Sequence, residues 1–407
     1  MRPKAPLILA FAALALVAAL AFAERGGAFA AAAALGGFAG FALYHASFGF
    51  TAAWRRVSRE RRGAGLRAQM LLVALTCLVS YPLLAWGGLI GVEARGFILP
   101  IGVASAFGAF VFGAGMQLGG GCASGTLFTA GGGSVRMLLV LAFFIAGSFA
   151  ATAHWEFWTR PEPEAEGAWG LLKAAATARF NDNRGISLIV ELGGFGALAA
   201  ILGFCGLVAL GSAMMERRAH GALEPGRWTG SMLSGPWSLT LGAVALAFVG
   251  IGALLALGQP WGVTSAFALW GAKLWLMAGG SVEGWAYWSG WRAGQLEASL
   301  FADGVSVMNF GIVAGAMAAA ALAGKWAPSL RLSGPDVATA VIGGVMMGYG
   351  ARLAYGCNIG AYLGGLVSGS LHGFWWLVWG FAGSWLGVAL RARLAMDPPL
   401  APRAQPA

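Results

Sequence analysis

Charge is scarce in this chain: Asp, Glu, Lys and Arg make up 10% of its 407 residues. A soluble globular domain carries about 25%, so too little charge is present to clothe a water-facing surface of this size. Histidine is scarce as well. His45, His154, His220 and His372 are scattered and form no metal-ligand spacing. Four cysteines, Cys77, Cys122, Cys205 and Cys357, are too few for a disulfide framework, and free thiols are expected. The net charge of +10 falls largely in one short loop and the tails. It forms no basic face on a soluble domain, so a nucleic-acid partner is not expected, nor is an enzyme of a familiar soluble class or a cofactor.

What the chain has instead is apolar sequence. Hydrophobic residues make up 58%, with a mean hydropathy of +0.73, and runs of the length that spans a bilayer recur throughout. Spans are expected near 6–23, 28–48, 69–92, 97–118, 137–155, 186–214, 237–258, 299–323, 335–355 and 373–392. The fold class is an all-α polytopic membrane protein. Residues 1–27 have two readings, a retained first span or a cleaved leader, because Arg2 and Lys4 precede the apolar stretch and Ala21-Phe22-Ala23 resembles a cleavage site. The total is therefore nine to ten spans. Sixty-six glycines suit helices whose backbones approach closely in lipid, and the 18 tryptophans, clustered around 261–291 and 374–385, suit an interfacial aromatic belt.

Arg55, Arg56, Arg59, Arg61, Arg62 and Arg67 against a single Glu60 place the 55–67 loop in the cytoplasm by the positive-inside rule. Counting from there, the acidic 156–185 loop, with Glu156, Glu162, Glu164, Glu166 and Asp182, falls outside. Arg217, Arg218 and Arg227, then Lys325, Arg331, Arg391 and Arg393, fall inside. The expected location is the inner membrane of a bacterium.

Within this sequence a glycine-lined cysteine motif occurs twice, GAGMQLGGGCASG from Gly113 to Gly125 and GYGARLAYGCNIG from Gly348 to Gly360. Gly113/Gly348, Gly115/Gly350, Leu118/Leu353, Gly121/Gly356, Cys122/Cys357 and Gly125/Gly360 coincide. Gly49-Phe50-Thr51 matches Gly262-Val263-Thr264, and Ala146-Gly147-Ser148 matches Ala382-Gly383-Ser384, in the same order. The spans before the two cysteines run in opposite directions, so the repeats are inverted, about a pseudo-two-fold axis in the membrane plane. The expected division is 28–155 and 237–394 as the two halves, 1–27 as the first span or leader, 156–236 as external loop, connecting span and cytoplasmic loop, and 395–407 as a tail.

Broken helices at membrane depth are tolerated only in protein or against a wet cavity, and matched breaks mark a transporter's substrate site. Each cysteine is expected at the N-terminus of a re-entrant half-helix, where free N–H groups and about half a positive charge favour an anion. Gly121, Gly125, Gly356 and Gly360 supply close backbone, and Ser124, Thr126 and Asn358 neutral donors. The thiols are soft and weakly donating, suited to a sulfur-bearing anion. Lys273 is a candidate attractor, against the alternative of a snorkelling interfacial lysine. Arg352, matched by Gln117, is a candidate at a pore mouth. Glu191 and Asp303 are weaker candidates as proton carriers, and Cys77 and Cys205 are expected to be packing residues. A membrane thiol enzyme and a scaffold subunit are the alternatives of other classes.

At GGGCASGTLFTAGGG around Cys122, GARLAYGCNIGAYLGGLVSGSLHG around Cys357 and GVTSAFALWGAKLW from Gly262, the chain resembles the YeeE/YedE family of bacterial inner-membrane proteins. The resemblance covers about residues 30–392. It implies an hourglass-shaped helical protein that takes up thiosulfate, passing the anion between cysteines by transient S–H hydrogen bonds. It also implies a small cytoplasmic sulfur carrier of the TusA type as partner, and leaves a selenium-bearing anion open as substrate. A third family cysteine is missing: in SFGFTAAWRR its place is taken by Gly49.

Overall fold

The computed structural model describes residues 4–161, 167–179, 185–226 and 231–397. Glu162, Glu164, Glu166, Asp182, Arg227 and the tail beyond 397 lie outside the described residues. The chain is helical, in the order α1 (Lys4–Arg25), α2 (Gly27–Ala46), α3 (Phe50–Arg55), α4 (Ala64–Trp86), α5 (Val103–Gly119), α6 (Ala123–Gly131), α7 (Val135–Ala153), α8 (Trp155–Thr159), α9 (Gly167–Thr177), α10 (Leu188–His220), α11 (Leu239–Leu257), α12 (Thr264–Met277), α13 (Trp291–Glu297), α14 (Gly304–Leu322), α15 (Gly334–Leu353), a π-helix (Asn358–Leu363) running into α16 (Gly364–Val367), and α17 (Leu371–Arg393). Among the described residues, ten helical stretches are long and apolar enough to cross a membrane. They coincide with the ten expected spans, and the chain is a multi-pass membrane protein.

The packing is reciprocal. Helix α2 lies on α14 as α11 lies on α4, and α7 lies on α15 as α17 lies on α5; α2 meets α11 and α5 meets α15 across the centre. The glycines shared by the two motifs make this possible. A Cβ at Gly113 would stand 2.1 Å from the Gly380 carbonyl on α17, and one at Gly348 would stand 2.3 Å from the Phe144 carbonyl on α7. Gly115 faces Gly343 and Met347, while Gly350 faces Gly108 and Phe112. With no hydrophobic force between helices in lipid, such backbone approach is what holds the bundle together. Helix α1 packs on α14 and α2, and α10 on α4, so the α1–α14 and α10–α4 contacts correspond.

The basic segments gather at one end. Arg56 pairs with Glu60 and Glu224, Arg62 and Arg67 with the fully buried Glu216, and Arg59 and Arg391 with Asp397. At the opposite end Tyr349 accepts from Trp158, Arg160 pairs with Glu156, and Ser187 bridges to Ser370. The expected tryptophan belt is corrected in part. Trp54 and Trp376 are fully buried, at 0% exposure, and pack with Tyr362 and Phe112 in the centre of the bundle. Indoles placed there fill space between helices that glycines have brought together.

Candidate functional site

Four interruptions in the helices converge on the centre. They fall at 47–49, 120–122, 258–263 and 354–357, each followed by a short helix. The glycine at 120 takes the left-handed conformation, φ 90°, and its counterpart Tyr355 takes it too, at φ 60°, although a non-glycine residue is strained there.

Cys122 caps the N-terminus of α6, and Cys357 that of the π-helix; both have extended backbone and are buried at 1% exposure. All four cysteines are free thiols. The two turns are near copies: Thr126 N–H donates to Cys122 O at 2.7 Å, and Ala361 N–H to Cys357 O at 2.8 Å. Gly121 and Gly356 stack their Cα over the first turn, where a Cβ would stand 3.2 Å from Thr126 N and 2.9 Å from Ala361 N. Gly125 leaves the Cys122 sulfur room, with its Cβ position 3.5 Å from Sγ. Ser124 Oγ lies 3.5 Å from the same sulfur, and Thr126 Oγ1 donates back to Cys122 O. The half-helices touch each other, and Gly360 lies against Gly262 of the third interruption. Cysteine, glycine and first-turn amides from both motifs thus share one buried region.

Carbonyls freed by the breaks need partners, because each unpaired one is costly away from water. Arg136 donates to Leu118 O and Gly119 O, and Arg391 to Gln117 O, at the end of α5. Trp376 Nε1 donates to Gly356 O, and His372 bridges Ala354 O and Pro100 O. Helix α4 closes the far end of α16, with Ser80 donating to Val367 O at 2.7 Å and Tyr81 to Leu366 O at 2.9 Å; Cys77 Sγ lies 3.9 Å from Leu366 O. Cys77 and Cys205 sit in the core packing, as expected.

Asn358 is fully buried, and neither its Oδ1 nor its Nδ2 has a partner. Arg352 is 5% exposed and donates to Tyr287 Oη at 2.6 Å, while its Nε has no partner. Its counterpart Gln117 donates to Thr51 O and Ser384 Oγ. Lys273 sits apart from this set: its ammonium donates to Leu296 O and Ala298 O, both at 2.7 Å, tying α12 to the end of α13. Asp303 caps α14 through Ser306 N and Oγ, and Glu191 is exposed on α10.

At the basic end, a cavity of about 80 Å³ reaches Phe48, Gly49 and Gln69. It shares Ser47, Arg56 and Leu239 with a vestibule of about 810 Å³ lined also by His45, Arg67, Glu224 and Lys325. Gly49 therefore stands at the head of the basic vestibule, a position that its sequence neighbours alone do not disclose.

A family model for sulphur transport matches residues 45–386, a stretch that contains all four interruptions and both cysteine motifs. The chain belongs to the sulphur transport family. It is 26% identical over 355 residues, 85% of this chain and 94% of the relative, to the "Thiosulfate transporter TsuA" of Spirochaeta thermophila. It is 35% identical over 134 residues to the "Probable transporter YedE" of Escherichia coli, and 34% identical over 134 residues to that of Salmonella typhimurium. That match spans 32% of this chain and 32% of the YedE proteins' own length.

Proposed function

We propose that this chain imports thiosulfate across a bacterial inner membrane, the anion passing between Cys122 and Cys357 by S–H hydrogen bonds. One observation carries the reading: two buried thiols cap two half-helices that touch, at equivalent places in reciprocal packing. The first-turn amides favour a negative charge, and the thiols suit a terminal sulfur. Ser124, Thr126 and Asn358 lie beside them as neutral groups, and Gly121, Gly125, Gly356 and Gly360 keep the backbone close. Arg352, a buried cation beside the Cys357 loop, attracts the anion at the end opposite the basic vestibule; Lys273, held by two carbonyls, contributes only to the field. The basic end faces the cytoplasm, where a small sulfur carrier of the TusA type takes up the product. The same reading divides the chain into two inverted units of five crossings, α1–α7 and α10–α17, with span six as the partner of span one.

The test is uptake of radiolabelled thiosulfate into cells lacking their own sulfur-anion importers. Wild type is expected to import, and Cys122→Ala and Cys357→Ala to lose at least nine-tenths of the rate at equal expression. Uptake of a selenium-bearing or other sulfur anion in place of thiosulfate would change the substrate and keep the path. A Cys122–Cys357 disulfide or persulfide found by mass spectrometry during turnover would replace transport with a sulfur-transfer enzyme.

A further inference from the structure

Helices α1, α2, α11 and α14 border a groove of about 670 Å³ beside the basic vestibule. Phe11 and Leu14 of α1, Phe41 of α2, Val244 and Phe248 of α11 and Leu322 of α14 line it, and no charged, hydroxyl or amide side chain does. A polar solute would give up its hydration there with nothing in return. Phe11 and Phe248 are 57% and 61% exposed, so the groove opens on the surface that faces lipid. Its α14 wall runs from Ala314 to Leu322. At 1.5 Å per residue that is about 12 Å, and one leaflet of hydrocarbon is about 15 Å thick. A single hydrocarbon chain matches the groove in length and in polarity. One end is charged, however. Trp237 lines both the groove and the 810 Å³ vestibule, fixed at their junction by hydrogen bonds to His45 O and Met232 O. Lys325 lines the vestibule three residues after Leu322 leaves the groove. Arg56 and Arg67 of the vestibule are paired with Glu224 and Glu216. Among the described residues no carboxylate pairs with Lys325, which is exposed.

We propose that this groove and Lys325 bind an anionic phospholipid from the leaflet at the basic end, with an acyl chain along Phe41, Val244 and Phe248 and the phosphate at Lys325. The two ends of the site ask for the two ends of one molecule. A free anion would satisfy Lys325 and leave the groove unfilled, and an uncharged lipid would fill the groove and leave the ammonium unpaired. Basic residues between helices on the cytoplasmic side suit a lipid phosphate, and the Trp237 indole suits the interfacial level between chain and headgroup. A chain seated there would cover the flank of α1, which joins the bundle through α2 and α14. The site shares no residue with the cysteine motifs, so it goes beyond the transport reading and does not depend on it.

The experiment follows the melting of purified full-length protein in a non-ionic detergent during titration with phosphatidylglycerol, phosphatidylcholine or glycerol 3-phosphate. Wild type is expected to be stabilised by phosphatidylglycerol at a concentration about five-fold lower than phosphatidylcholine requires, the preference that one basic side chain gives at an anionic membrane surface. Lys325→Gln is expected to melt as wild type does without lipid, because the side chain is exposed, and to lose the preference while still responding to phosphatidylcholine. Val244→Trp fills the groove and is expected to weaken the response to both lipids alike. Equal responses of wild type to the two lipids, or a preference that persists in Lys325→Gln, would overturn the proposal. So would stabilisation by glycerol 3-phosphate alone, which would put a free anion in the vestibule and leave the groove out of the site. A dimer on size exclusion that Val244→Trp converts to monomer, with no lipid preference in wild type, would give the groove to a second copy of the chain instead.

Discussion

Arg352 donates to the hydroxyl of Tyr287 at 2.6 Å, and among the described residues no carboxylate pairs with it. A buried guanidinium with neutral partners keeps its charge available to whatever anion approaches, at a cost that an ion pair would have relieved. Arg352→Gln keeps a hydrogen-bond donor and installs the residue found at the equivalent position, Gln117. It is expected to lower initial uptake at sub-saturating anion about ten-fold, an effect of about 1.4 kcal/mol, and to flatten its dependence on ionic strength. Initial rates at two salt concentrations check both.

The glycine crossings set the spacing of α5 against α17 and of α15 against α7. Gly113→Ala and Gly348→Ala would each drive a methyl into a carbonyl of the facing helix, and overpacking of this kind costs about 1–3 kcal/mol. Both are expected to lower the melting temperature. Gly203→Ala on α10, with nothing within 4 Å of its Cβ position, is expected to be neutral or slightly stabilising. Thermal melting of the three in one detergent is the measurement.

Gly49 has φ −130°, open to any residue, and its nearest neighbour to a Cβ is Ala52 Cβ at 4.0 Å. Gly49→Cys is therefore expected to fold with an unchanged melting temperature. Because Gly49 lines the cavity below the basic vestibule, the new thiol is expected to react with a membrane-impermeant maleimide from the cytoplasmic side. Labelling from the other side alone would reverse the orientation proposed for the chain.

Asp397 is held by Arg391 and by Arg59, the latter at 3.1 Å. Hydrogen bonds from Arg391 hold its carboxyl below the usual carboxylate range. A depressed folded-state value stabilises the fold at every pH above the unfolded carboxylate's, and the contribution is lost as pH falls through the folded value. Asp397→Asn is expected to cost about 1–2 kcal/mol at pH 7, and the gap to wild type to close only in strongly acidic solution. Melting of both proteins from pH 7 to pH 3 follows it.

Much of the fold was legible because the signals were local. A bilayer asks for about 20 apolar residues per crossing, and each of the ten stretches met that requirement unaided. The places of Cys122 and Cys357 at the starts of two short helices were legible because they recur in matched glycine frames. What escaped detection lacked either kind of signal. The corresponding places of α1 and α10 arise from packing against α14 and α4, and no motif in the two helices advertises it. Tyr362 read as one aromatic among many, since only the three-dimensional neighbourhood discloses that its hydroxyl is unpaired. The partners of Lys273 and Asp303, the Leu296 and Ala298 carbonyls and the α14 N-terminus, lie in irregular segments that periodicity does not place.

The two motifs match at the centre, while the ends of the passage proposed above are built from unequal pieces. The interruption after α11 is followed by α12 and the long 278–303 segment, where Arg292 covers Tyr287; after α3 only a π-turn and three residues intervene before α4. Unequal mouths give unequal rates of entry and exit. They cannot by themselves raise the concentration of an uncoupled solute on one side, because every barrier is crossed in both directions with the same free-energy difference between the two solutions. Net accumulation through such a passage has to be drawn from the membrane potential, a co-transported ion or a reaction that removes the solute after arrival. In the proposed transport the shape of the mouths therefore sets how fast the anion crosses, and the surroundings set which way.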